Sequence, residues 1–167
     1  MSDETTTLPG ATYHLHPIGT VRHAEDGVHL TIDAPYRAGL AQLDQFSHAI
    51  VFWWANALDT PDDRARLVTD LPYAPGVEAG VFACRSPYRP NPIAVTVCPM
   101  FGLDERSGDI LTPWIDAADG TPILDLKPYI PMSDRVREVE VAPWLRGWPD
   151  YAEDAATFDF SAVGLDE

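Results

Sequence analysis

Long apolar runs are missing from this chain. The longest, residues 49–55, is far too short to cross a bilayer as a helix. Lysine is almost absent: Lys127 stands alone among 11 basic residues, set against 26 Asp and Glu. No basic run marks a nucleic-acid footprint, and the net charge is −15. That charge is uneven, with −7 over residues 1–84, −1 over 85–137 and −7 over 138–167. The middle segment is therefore nearly neutral within an acidic protein. High salt would screen repulsion of a polyanion from such a surface. Cysteine is scarce too. Cys84 and Cys98 show no Cys-x-x-Cys spacing, and they read as small apolar residues of a reducing compartment. They could face each other across the intervening loop, but free thiols are expected. The glycines never form G-x-G-x-x-G, so no dinucleotide fingerprint is present. His14 and His16 share strand spacing, yet nothing fixes a third ligand, and no metal is expected.

What is present is a proline-locked segment carrying two arginines, Arg85-Ser86-Pro87-Tyr88-Arg89-Pro90-Asn91-Pro92. Each proline fixes its own φ and pushes the preceding residue out of the helical region. Ser86, Arg89 and Asn91 are therefore held extended, and the loop loses little entropy on binding. Two guanidiniums and an amide on such a loop suit a carboxylate, a phosphate or a base edge. The same arginines also read as surface charges or salt-bridge partners. Residues 80–84 lead in and 93–98 lead out, so the unit reads as strand, rigid loop, strand. A second segment, Asp116-Ala117-Ala118-Asp119-Gly120-Thr121-Pro122-Ile123-Leu124-Asp125-Leu126-Lys127-Pro128-Tyr129, puts a strong Asp-Gly turn between strand-like residues 110–115 and 121–126.

Elsewhere short strands dominate. Residues 13–21 and 27–34 read as strands joined by the polar turn Glu25-Asp26-Gly27. Leu40, Leu43 and Phe46 have helical spacing, so a short helix is expected over 39–46. Residues 47–54 read as a buried strand. Thr60-Pro61-Asp62-Asp63 is a helix start, with cap, proline and early acids, for a helix running to about Leu71-Pro72. The fold class expected is mainly β, a single β-barrel with a few short helices. An acidic tail is expected over 1–12, the barrel over 13–137, and an acidic extension over 138–167 packed on it through Trp144 and Trp148. Residues 1–9 are acidic and polar, unlike a secretory leader, so a cytoplasmic protein with no membrane association is expected.

Taken together, the two long motifs resemble the TsaA-like (TrmO) family, with Phe46-Ser47-His48 similar to a third family element. The likeness runs from about Tyr13 to Asp134. It implies a β-barrel methyltransferase that uses S-adenosyl-L-methionine and acts on threonylcarbamoyladenosine in tRNA. It also implies a homodimer with its site near the interface. Donor contacts carry over to His48, Arg85, Val95, Asp116, Asp119, Gly120 and Thr121. Arg85 would meet the donor carboxylate, and Asp116 or Asp119 its amino group or ribose. His48 and Val95 also read as core residues, and Asp119 as a turn former. Asp116, His48 and Asp125 are candidate bases. Arg89, Asn91, Lys127 and Tyr129 are candidate substrate contacts, although Tyr129 also reads as packed. Three departures stand out: no Pro-Arg-Gln triplet follows the first strand, Cys84 stands for a threonine, and Ala94 for a glycine. Larger relatives also carry a C-terminal domain where this chain has an acidic segment. The same fold acting on a small-molecule acceptor, or binding the donor without catalysis, are the alternatives.

Overall fold

The computed structural model describes residues 13–159. The acidic tail expected over 1–12 lies outside them, as do the last eight residues of the expected extension. In chain order the strands are β1 (Gly19–Ala24), β2 (Gly27–Ile32), β3 (His48–Trp54), β4 (Val68–Asp70), β5 (Glu78–Gly80), β6 (Ile93–Pro99), β7 (Gly102–Asp104), β8 (Asp109–Thr112) and β9 (Pro122–Pro128). Two short helices, α1 (Pro61–Ala65) and α2 (Pro131–Asp134), and several 3-10 turns complete the described residues. Seven strands form one sheet in the order β6-β3-β9-β1-β2-β8-β7, and β4 and β5 form a separate pair. Every pairing is antiparallel. The mainly β reading therefore holds, with β6 and β7 at the two ends of the strand order.

Alternation builds the core. Ala49, Val51 and Trp53 of β3 point inward, while His48, Ile50, Phe52 and Trp54 point outward and are half-buried. The inward set joins Val21, Leu30, Ile32, Cys98, Ile110 and Ile123. Buried Trp53 donates its indole N–H to Thr96 at 3.1 Å, so its polar atom is satisfied inside that core. The sheet's two outer strands, β6 and β7, are consecutive pieces of one run separated by Met100 and Phe101. Met100 N–H still bonds Ser47 on the β3 side, and Phe101 N–H already bonds Leu111 on the β8 side, both at 2.8 Å. A smaller cluster of Leu71, Ala74 and Ala79 lies beneath β4 and β5, with Trp144 packed against it. Trp148 meets Tyr73 edge-on at 5.3 Å.

Several expectations change. Residues 13–18 are not strand, because Pro17 has no N–H to give a ladder. The helix expected over 39–46 is two 3-10 turns, Ala34–Leu40 and Leu43–Gln45, broken where Gln42 adopts φ 69°. Leu40 and Leu43 are still both buried. The Thr60–Asp63 capping box forms, but α1 stops at Ala65 because Val68 and Thr69 pair with β5 instead. Only Gly80 of residues 80–84 is strand; Val81–Ala83 is a 3-10 turn. Finally, β8 and β9 do not pair with one another, since β1 and β2 lie between them. The Asp119-Gly120 turn is real, with Gly120 at φ +81°, but it belongs to a crossover and not a hairpin.

Candidate functional site

Strand pairing decides which candidates can meet. Ile93 of β6 faces Trp54, and Ile123 of β9 faces Trp53. The loops over 85–92 and 116–121 therefore enter the sheet at the same end of β3. His48 sits at the other end, opposite Pro99. It is six residue steps from Trp54, about 20 Å at the rise of an extended strand. Tyr129 belongs to the His48 end: its N–H bonds the His48 carbonyl at 3.0 Å and the two rings lie 6.3 Å apart. Ser47 Oγ lies 2.8 Å from His48 Nδ1. Within this chain, the residues that the family resemblance groups together are thus divided between two ends.

In the proline loop the two arginines have different fates. Arg89 Nη2 donates to the carbonyls of Val81 and Cys84, so it braces the turn that leads into its own loop. Its Nε is buried with no partner. Arg85 is exposed and makes no hydrogen bond or ion pair among the described residues. Asn91 is exposed, and its carbonyl accepts from Ile93 N–H at 2.7 Å. Arg66 covers the Tyr88 ring at 4.3 Å, which stiffens the loop further.

The loop over 116–121 is tied to β1. Gly120 N–H bonds Val21 O at 2.8 Å, and Val21 N–H bonds Thr121 O at 2.9 Å. Asp119 Oδ1 accepts from His23 N–H at 2.8 Å, and His23 Nε2 donates to Ala117 O at 2.8 Å. Thr121 is buried. Asp116 is exposed as a residue, yet partial burial of its carboxyl raises its pKa above the ordinary 3.8. Val95 lies outward on β6 opposite Phe52. Asp125 and Lys127 form an ion pair at 2.6 Å on the outer face of β9. Lys127 also lies 5.6 Å from the Phe52 ring centre, so neither charge is free.

Beside this loop is an open cleft of ≈ 710 Å³ on the outer face of β1, β2 and β8. Thr20, Arg22, Thr31, Ser107, Asp109, Asp119 and Gly120 line it. Next to it, buried His29 bridges two carboxylates, with Nδ1 2.7 Å from Asp109 and Nε2 3.0 Å from Asp26. Both nitrogens donate only in the imidazolium form, and these bonds raise the His29 pKa, the Asp26 bond most. Asp26 is correspondingly lowered, chiefly by the same bond. Sequence reasoning missed Arg22, His29 and Asp109. The two-residue turn at 25–26 was legible, and alternation back from it places Arg22 opposite His29.

The family described as "tRNA-methyltransferase O N-terminal domain" matches residues 13–135. The chain belongs to that family. A probable S-adenosyl-L-methionine-binding protein of Archaeoglobus fulgidus is 37% identical over 128 residues, covering 76% of this chain and 31% of that protein. One of Halobacterium salinarum is 38% identical over 95 residues, covering 57% of this chain and 69% of that one. The mouse tRNA (adenine(37)-N6)-methyltransferase is 32% identical over 102 residues, covering 61% of this chain and 23% of that enzyme. The match thus spans about a third or less of two of these relatives. The crystal structure of TrmO from Pseudomonas aeruginosa superposes with TM-score 0.63 at 26% identity, over 82% of this chain and 63% of that one. Among the described residues, no helix is long and apolar enough to cross a membrane.

Proposed function

We propose that this protein is an S-adenosyl-L-methionine-dependent methyltransferase that methylates N6 of threonylcarbamoyladenosine in tRNA. The observation that carries the reading is the family match over residues 13–135, whose turn at Asp119-Gly120 lies on an open cleft. The residues there fit the donor: a free guanidinium, two carboxylates and hydroxyls border one concavity. When bound, the donor supplies an activated methyl group, so the protein's task is mainly to position donor and acceptor. Asp116 is the base this reading favours. Its raised pKa makes it a better proton acceptor than an ordinary Asp, and it heads the loop that reaches the cleft. Asp125 is held by Lys127, and His48 lies at the far end of the sheet. Arg85 is proposed to meet an anionic group at the loop end.

The roughly 20 Å between His48 and the loop end supports a homodimer in which each copy supplies one end of a shared site. Exposed Ile93 and Val97, beside half-buried Ile50, Phe52 and Trp54, form the apolar outer face suited to that contact. The reading includes a closed, barrel-like sheet, supported by the single run that bonds β3 with one half and β8 with the other. A cytoplasmic setting is part of it, in keeping with two free thiols. One observation favours a small-molecule acceptor instead: a net charge of −15 repels RNA.

Calorimetric titration with S-adenosylmethionine, followed by methyl transfer to tRNA from a strain lacking the modification, tests the reading. Binding with a methylated tRNA product supports it. Binding without that product moves the acceptor to a small molecule, and no binding removes the enzyme assignment.

A further inference from the structure

A second cavity lies away from the loop over 116–121. Its volume is ≈ 340 Å³, and it shares no lining residue with the first cleft. Small-molecule sites run from about 300 to 1,000 Å³. Phe46, just before β3, and Pro128, opposite Ala49, place it toward the His48 end of the sheet. Buried Leu40 and Leu43, with Leu126 of β9, form apolar walls. Tyr36 and Phe46 also line it, yet they stay 41% and 39% exposed. Two aromatic rings at the edge of an apolar cavity are stacking faces left open.

Gln42 supplies the polar group of this cavity. Among the described residues it is the only non-glycine with positive φ, at 69°. Left-handed backbone costs a glutamine strain that glycine would avoid, and such strain gathers at ligand sites. The residue is exposed, so its side chain is not spent on packing. Gln45 Nε2 donates to Gln42 Oε1, which fixes the carboxamide and sets its two ends apart. The N–H groups of Gln42 Nε2 have no partner among the described residues, and Oε1 keeps a second lone pair. A fixed donor and acceptor side by side are the complement of the N7 and N6-amino edge of adenine. We propose that this cavity is a second nucleobase site that takes an unpaired adenine, with Gln42 bonding the N7 and N6 edge and Tyr36 and Phe46 stacking on the ring. A free nucleoside and an unpaired adenine of RNA carry the same edge. The site is separate from that of the methyl donor, and its occupancy does not depend on donor binding.

The test is calorimetry on the full chain with adenosine, in excess S-adenosylmethionine. Adenosine is expected to bind. Inosine, with a carbonyl in place of the amino group, should bind roughly 10- to 100-fold more weakly. Gln42→Gly should weaken adenosine by a similar factor and melt at or above the parent temperature, because the strain leaves with the side chain. Gly39→Leu is the second variant. Gly39 lines the cavity, and a Cβ there would meet nothing within 4 Å, so the added side chain should hinder adenosine and spare the fold. Single-stranded oligo(A) that binds more tightly than adenosine, and loses that gain in Gln42→Gly, assigns the adenine to RNA. Oligo(A) that binds no more tightly assigns it to a free nucleoside. Adenosine that does not bind, binds no better than inosine, or binds either variant unchanged overturns the inference. Adenosine bound only when the donor is absent also overturns it, because the cavity would then be the donor's own.

Discussion

The proline loop and the β1–β2–β8 cleft carry arginines in opposite ways. In the loop, local stiffness is written into the residues, and one of its two arginines is consumed in maintaining it. Arg89 bonds the carbonyls of Val81 and Cys84, and only Arg85 remains outward and free. In the cleft nothing is stiff by composition. Arg22, Asp109 and Asp119 come from three separate segments and meet because strands pair. A rigid motif can therefore be largely architecture, while a site assembled by pairing sets a free guanidinium beside carboxylates that are only half engaged.

The largest effect is expected in the segment between these regions. Asp116→Asn should lower kcat by about 10²- to 10⁴-fold while donor affinity stays within a few-fold. In the parent protein, the rate of the proposed methyl transfer should fall as pH drops through a value above 3.8, where the raised Asp116 gains its proton. A kcat loss below about threefold would assign the proton elsewhere.

Next comes the contrast inside the loop. Arg89→Ala should destabilise the protein by about 2–3 kcal/mol, because two backbone carbonyls lose a charged donor. Arg85→Ala should leave stability within about 0.5 kcal/mol and raise KM for an anionic acceptor instead. Denaturant melts beside acceptor kinetics separate the two. Equal destabilisation by both would mean that Arg85 braces the loop as Arg89 does.

A smaller, pH-dependent effect probes the cleft wall. His29 has a raised pKa, so its contribution is complete below about 6.5 and is lost as pH rises through the folded value. His29→Gln should therefore lower the melting temperature at pH 6 more than at pH 8.5. A deficit independent of pH would show that packing, and not the paired carboxylates, is what His29 supplies.

The least effect concerns the cysteines. Burial pushes the Cys98 thiol up to about 11, and the residue has no exposure. Cys84, half-buried beneath the braced turn, should react first with a thiol reagent. Peptide mapping checks the order, and faster labelling of Cys98 would mean that β6 opens readily.

Much of the strand pattern was legible, β6 from its alternation and β3 from its short apolar run. The turns at 25–26 and 119–120 were legible from their Asp and Gly. What was not legible depended on partners. The Leu40 and Leu43 spacing implied a helix, but Gln42 reverses the chain between them. Val68 and Thr69 left their helix because β5 was there to pair with. At the site, the motif residues stood out, yet their division between two ends of the sheet is a property of strand order alone. Arg22 was half-visible, since its register with His29 follows from the hairpin. Its nearness to Asp109 was not, because β8 lies some eighty residues away in the chain.

Lys127, paired with Asp125 beside Phe52, has a consequence of another kind. It is the chain's only lysine, so apart from the terminal amine every amine-directed reagent addresses one point on the outer face of the β6–β3–β9 region. A single fluorophore, crosslinker or surface tether can be placed there without engineering. A tether at Lys127, beside Phe52, would turn that face toward the support and compete with the proposed contact between copies, so labelling there also reports whether the face is covered.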